Sequence, residues 1–380
     1  MESEERLATT TLYDLGIDAD KVEEALSRDM TFPARWYSDP DIYAFELDRI
    51  FTRSWQYAGP IDKLSRPGDH IVCHVGHVPI VVTRDGRGEL HAFINVCRHR
   101  AFPVAVDDGN RSTLQCRYHA WTYDLDGSLR AAPRSERERC FDKQEFSLMP
   151  ASVETWNRLV FVNPDPEAPS MREVYPEFFP LAEERGLDFE GYRYHGRYTY
   201  EVPANWKVWV ENASECYHCP TIHKGSFSDA FQAHADIYEY VDGGRVLGQF
   251  TGYNPRAKNF PRPASEGDRQ FRYTFMWPTT TLVQDDWVAF PATIQPTGPE
   301  SCQFIADMYV DPALAPKKAE EWVEMWNQTL SEDTEAVLLQ QPGLRSQMVP
   351  HGRLMPASES AIARFHRMVW ESFSDALADA

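Results

Sequence analysis

The sequence predicts an α+β protein in which a small antiparallel β domain is inserted near the front of a larger α+β domain. Its 380 residues suffice for two domains with substantial cores. From about residue 61 to 161 the chain runs in short apolar or alternating segments broken by Gly, Pro and Asp turns, the signature of antiparallel strands. After Asn163-Pro164-Asp165-Pro166 helical and strand-like patterns intermingle, as expected of a mixed α+β layer. The expected division is an N-terminal helical segment over 1–45, the β domain over 46–162 and the larger domain over 163–380.

In chain order, Asp39-Pro40 offers an N-cap followed by proline at the first helical position, and Tyr43, Leu47, Ile50 and Phe51 make one apolar face. Strands are expected over His70 to Val75, Val78 to Thr83, Leu90 to Val96 and Leu159 to Val162. Beyond them, helical patterns fall at about 171–186, 205–218 and 314–341, and strand-like runs at about 192–202, 246–253, 270–284 and 303–310. Pro342-Gly343 is expected to end the last helix.

The net charge of −20 disfavours nucleic acid and anionic membranes as partners. The first residues lack the basic start and apolar run of a signal peptide, and no run of about 18 uncharged apolar residues occurs, so a cytoplasmic protein is expected. Seven cysteines, an odd number, point to thiols or metal ligands rather than a disulfide framework. No Gly-x-Gly-x-x-Gly is present, so no dinucleotide is expected to bind by that device.

Within the β domain, Cys97-Arg98-His99 and Cys116-Arg117-Tyr118-His119 are two Cys/His pairs sixteen residues apart. Zinc takes two Cys and two His as well, but its modules more often pair like with like. One of each kind on each loop suits a Rieske [2Fe–2S] cluster, where one iron takes both thiolates and the other both imidazoles.

The second constellation is Glu211 to His223. On a helix, Glu215 and His218 face the same way, so the carboxylate can orient the imidazole. Pro220 is expected to end or kink that helix and let His223 turn back toward the same point. Cys216 and Cys219 read as small buried packing residues, and a pair of core histidines is the plain alternative for the stretch. Two histidines want one carboxylate for the facial arrangement of non-haem Fe(II). In Glu321 to Gln341, Asp333 falls only about 20° from the apolar stripe of Trp322, Trp326, Leu330 and Val337, whereas Glu332 and Glu335 point away. A buried aspartate costs several kcal/mol unless paired or metal-bound, which makes Asp333 the third candidate ligand.

Cys97-Arg98-His99-Arg100 with Cys116 to Tyr123, and Asn205-Trp206-Lys207 followed by Glu211-Asn212 and Glu215 to His223, resemble the Rieske-type non-haem iron (ring-hydroxylating) oxygenase α subunits. Ala101-Phe102 departs from the glycine that such relatives commonly carry after the first loop. The resemblance implies a helix-grip-like antiparallel sheet with helices, a Rieske [2Fe–2S] cluster on Cys97, His99, Cys116 and His119, and mononuclear Fe(II) on His218, His223 and Asp333. It also implies a catalytic bridging role for Glu215, linking His218 to the partner subunit's His119 in a homotrimer. Electrons would come from an NAD(P)H-dependent reductase, with or without a ferredoxin, and be used with O2 to hydroxylate or oxidatively demethylate a small aromatic compound or methylated quaternary amine. The alternative is a Rieske electron carrier without oxygenase chemistry of its own.

Overall fold

The computed structural model describes residues 11–233, 238–260 and 270–378. The chain forms two compact units, one contiguous from Thr52 to Glu173 and the other built from the residues up to Phe51 together with Val174 onward.

The contiguous unit holds ten short strands: β1 (Gln56–Pro60), β2 (Asp69–Val75), β3 (Val78–Arg84), β4 (Leu90–Ile94), β5 (Gly109–Asn110), β6 (Leu114–Gln115), β7 (Thr122–Tyr123), β8 (Leu129–Ala131), β9 (Pro150–Trp156) and β10 (Leu159–Asn163). Seven make an antiparallel sheet in the order β1-β10-β9-β4-β3-β2-β5, and β6-β7-β8 make a second, smaller one. A two-residue turn at Gly76-His77 joins β2 to β3, with Gly76 at the positive φ that such hairpins require. Gly127 sits against the Phe93 ring, where a Cβ would come within 2.4 Å. Only glycine allows that approach at its φ of +83°.

The other unit begins with α1 (Ala19–Ser27) and α2 (Pro40–Arg49); Asp39 caps α2 by accepting from the N–H groups of Asp41 and Ile42. It continues through α3 (Phe178–Arg185), β11 (Arg193–Val202), α4 (Trp206–Ala213), α5 (Cys219–Ile222), α6 (Phe227–Ala230), β12 (Glu239–Asp242), β13 (Val246–Gly252), β14 (Gln270–Met276), β15 (Thr280–Gln284), β16 (Val288–Gly298), β17 (Ser301–Val310), α7 (Pro316–Ser346) and α8 (Ser360–Ala378). Its sheet is antiparallel throughout, ordered β11-β17-β16-β15-β14-β13-β12. Helices α4 and α7 meet each other and lie against β16. Trp206, Trp209, Phe275, Phe290 and Phe365 are buried in the core of this unit.

Several sequence expectations need correction. The 205–218 pattern stops at Ala213, the run over 171–186 is interrupted between Val174 and Phe178, and β16 and α8 had no counterpart. Nor does Pro342 end α7, which runs on to Ser346 before Gln347 turns left-handed. Proline removes the N–H that the Leu338 carbonyl would receive, but Leu338 is 42% exposed, so water can satisfy that oxygen. No helix among the described residues is long and apolar enough to cross a membrane.

Candidate metal centres and the adjoining cavity

In the Thr52–Glu173 unit the two Cys/His pairs sit on loops built alike. The Cys97 carbonyl accepts from Ala101 N–H and Cys97 N–H donates to Phe102; Cys116 repeats the pattern with Ala120 and Trp121. Ala101 and Ala120 both turn left-handed, at φ of 55° and 57°. A residue with a Cβ is strained there, so the alanines at both turns are held against their local preference. The loops bury Cys97 and Cys116 and leave His99 and His119 exposed, with the two imidazole centroids 4.5 Å apart. Burial, and then proximity to the Cys116 sulfur, push the Cys97 thiol up, partly offset by the Tyr123 hydroxyl 3.4 Å from its Sγ. Two sulfurs in mutual contact inside and two imidazoles together outside are the donor set that a Rieske cluster takes.

The second centre starts from α4. Asn205 caps it by accepting from Lys207 N–H. Lys207 Nζ lies 2.6 Å from Glu46 Oε1 with both side chains fully buried, and Trp206 Nε1–H donates to the other Glu46 oxygen at 2.8 Å. Burial dominates both partners, raising Glu46 and lowering Lys207, and their mutual contact offsets part of that cost. One turn on, Glu211 Oε1 receives the Tyr37 hydroxyl at 2.7 Å and lies 2.9 Å from His366 Nε2.

Helix α4 ends one residue before the functional turn. Glu215 and His218 therefore meet across a turn rather than along a helix, with Glu215 Oε1 2.5 Å from His218 Nδ1 and Glu215 Oε2 capping the backbone N–H groups of Tyr217 and His218. Pro220 begins a helix, occupying the first turn of α5, where the missing N–H costs nothing. That single turn brings His223 round. The Nε2 atoms of His218 and His223 are 3.1 Å apart, and Asp333 Oδ1 on α7 lies 3.3 and 3.0 Å from them.

Glu332, which helical projection had turned away, reaches the same centre. Its Oε2 is 2.9 Å from His223 Nδ1 and accepts from Ser226 Oγ at 2.6 Å, while Gln328 Nε2–H donates to its Oε1 at 2.8 Å. Each imidazole thus has its own carboxylate at Nδ1. With the ring proton on Nδ1, each Nε2 turns a lone pair toward Asp333 Oδ1, a buried oxygen without a hydrogen-bond partner. Three acceptors facing one point repel each other unless a cation lies among them, so the residues fit a mononuclear metal. Burial would raise the Asp333 carboxyl, but the two imidazoles hold it well below the usual carboxylate range. A proton is the competitor for that cation's place: against the opposing effect of burial, Asp333 and Glu215 together push His218 up to about 10, so metal binding there has to displace a proton from Nε2.

Cys216 and Cys219, expected as packing residues, are buried and joined in a disulfide across the turn. They line a cavity beside the three acceptors whose walls include Phe227, Phe271, Tyr273, Phe290, Phe304 and Trp326. The rings pack on one another, with Phe290–Trp326 centroids at 5.1 Å and Phe227–Phe271 at 5.0 Å. The described lining residues include no Lys or Arg.

Residues 54–150 match the Rieske [2Fe-2S] domain family and residues 189–374 the ring hydroxylating alpha subunit (catalytic domain) family. The chain is 31% identical to a chloroplastic choline monooxygenase of Amaranthus tricolor, over 88% of this chain and 76% of that protein. It is also 31% identical to the carnitine monooxygenase oxygenase subunit of Acinetobacter pittii (strain PHEA-2), over 89% and 94%. A solved quaternary ammonium Rieske monooxygenase superposes with a TM-score of 0.83 at 27% identity, covering 94% of this chain and 99% of that one. Naphthalene 1,2-dioxygenase from Rhodococcus sp. shares the fold, at TM-score 0.78 and 18% identity over 93% and 97%.

Proposed function

This chain belongs to the family of ring-hydroxylating oxygenase α subunits with a Rieske [2Fe–2S] domain and a mononuclear non-haem iron domain, and from that premise we propose that it oxidises a methylated quaternary amine as a monooxygenase. The observation that carries the substrate class is the aromatic wall beside Asp333, His218 and His223. Ring faces attract a cation that has no N–H to donate, and the described wall offers no positive side chain to repel it. The names of two relatives at 31% identity, a choline and a carnitine monooxygenase, support the same class.

In this reading His218, His223 and Asp333 hold the mononuclear iron, and Cys97, His99, Cys116 and His119 hold the cluster. Iron held there would supply the means of activating O2. The chain's own residues do the rest by placement: Glu215 and Glu332 fix the imidazole tautomers, and the rings hold the ammonium methyls near the metal and keep water out. Glu215 would bridge to the partner subunit's His119, which makes a homo-oligomer, a trimer in our reading, part of the proposal. A reductase supplies the electrons, directly or through a ferredoxin.

The test is oxygen uptake and product analysis with purified oxygenase, a surrogate reductase and NADH. Choline, carnitine, benzoate and naphthalene are offered in turn. Amine-dependent oxygen uptake with a dealkylated or hydroxylated amine product is expected; turnover confined to the two aromatic compounds refutes the proposal.

A further inference from the structure

Beside the two imidazole nitrogens and the Asp333 oxygen lies a sulfur. Cys219 Sγ is 3.8 Å from His218 Nε2, and with one ring nitrogen each of His218 and His223 it forms a group of donor atoms all within 4.8 Å of one another. A metal that holds a thiolate at about 2.3 Å and an imidazole at about 2.0–2.1 Å keeps those two atoms no more than about 4.4 Å apart. Cys219 is within that reach of His218. The Cys219 carbonyl accepts from His223 N–H at 3.0 Å and from Ser228 Oγ at 2.8 Å, so the residue is anchored at the site by its backbone, whatever its sulfur is bonded to.

What withholds the sulfur is its bond to Cys216. Metals take cysteine as the thiolate, and a disulfide sulfur has no proton to give up and no charge to offer. The two Cα atoms are 5.0 Å apart, a separation that disulfides ordinarily span, and both side chains line the cavity beside the three acceptors. Between them in sequence, Tyr217 is 55% exposed. The bond therefore lies under a surface turn, which need open only locally to admit a reductant.

Resting on the metal site of the proposed function, we infer that Cys216 and Cys219 form a redox gate on that site. The disulfide leaves the metal three protein ligands; reduction frees Cys219 Sγ to become a fourth. Three protein ligands leave a position open for chemistry, whereas four close the site. An external dithiol is the reductant: it becomes a disulfide, and its two electrons and two protons pass to the Cys216 and Cys219 sulfurs. Binding of Cys219 to the metal then releases one of those protons.

The experiment uses protein that keeps its cluster and carries Co(II) in place of the mononuclear iron. X-ray absorption fine structure at the cobalt edge reports cobalt's own neighbours, so the sulfurs of the cluster do not enter. Wild type, C216S and C219S are measured after diamide, which closes the disulfide by taking up its two hydrogens, and after a phosphine, which with water opens it and becomes the phosphine oxide. Alkylation of free thiols, read by mass, gives the state of the pair, and melting curves check folding. In the wild type a sulfur neighbour at about 2.3 Å is expected after the phosphine and not after diamide. C216S should show that neighbour without any phosphine, and C219S should lack it in both states. Absence of the sulfur neighbour from the reduced wild type or from C216S, its persistence in C219S, or a pair that diamide fails to close overturns the inference, while histidine scattering at cobalt keeps the metal site itself. Cobalt without histidine neighbours removes that site, and the inference with it.

Discussion

At the scale of single residues, Glu332 shows how a projection along a helix can mislead. Helical periodicity separates it from Asp333 by about 100°, which turned it away from the candidate metal. Periodicity locates a Cα, however, and a glutamate side chain with three rotatable bonds reaches back across that angle to His223 Nδ1. Asp333 was legible because a short carboxylate on an apolar stripe must have a partner; Glu332 was not, because a long one need not lie above its own Cα. The structure makes Glu332 to His223 what Glu215 is to His218, an acceptor that fixes the ring proton on Nδ1. Replacing it with Ala should lower affinity for the mononuclear metal by roughly 10- to 100-fold. E332Q, which keeps an acceptor but loses the charge, should fall between Ala and wild type. Titrating Co(II) into protein stripped of its mononuclear iron measures this directly, and wild-type affinity in E332A would dismiss the role. Three other features, the disulfide between Cys216 and Cys219 and the unpaired Trp209 and Tyr238, left no mark in the sequence, since each depends on what the folded chain places beside it.

At the scale of elements, long periodic segments were legible and compressed ones were not. Helix α7 and strands β11 and β17 follow their patterns closely, because α7 and β11 have one face to bury and β17 alternates over its first half. Strand β16 is buried for most of its length, so it lacks the alternation that marks a half-exposed strand. The turn carrying Glu215 and His218 was read as helix because i and i+3 are also neighbours across a tight turn. How α7 is held against α4 rests on Gln341, which is 1% exposed. Its Oε1 accepts from Asn205 N–H at 2.9 Å, and its Nε2 donates to the Tyr37 carbonyl at 2.9 Å and to Glu300 at 3.1 Å. Q341A leaves a buried N–H and a buried carbonyl unpaired, so a loss of about 1–3 kcal/mol is expected. Because Gln341 ties the N-cap of α4 to the helix bearing Asp333, metal retention should fall along with the denaturation midpoint. A stability within about 0.5 kcal/mol of wild type would show that water replaces the amide at no cost.

At the scale of the whole molecule, the division into two units decides how the inorganic centres respond to mutation. All four candidate cluster residues belong to the Thr52–Glu173 unit, on loops whose hydrogen bonds close within that unit. Asp333, His218 and His223 belong to the other, held by α4, α5 and α7. That much was legible from the order of the motifs, since Cys/His loops flanked by short strands and a histidine turn flanked by helices imply separate supports. What sequence could not give is the conformation of the loops: Ala101 and Ala120 take a left-handed turn that side chains disfavour, so the cluster loops are held by the sheets around them rather than by local preference. Metal occupancy should therefore divide along the units. Wild-type protein purified without oxygen should carry about three irons per chain and a Rieske EPR signal, two of the irons residing in the cluster. D333A should retain the Rieske signal and lose one iron; C116S should lose the signal and two irons, while its second unit still binds Co(II). Loss of the Rieske signal in D333A would mean that the cluster domain depends on the mononuclear site for its fold, and two zincs in a colourless wild-type protein would remove the oxygenase assignment altogether.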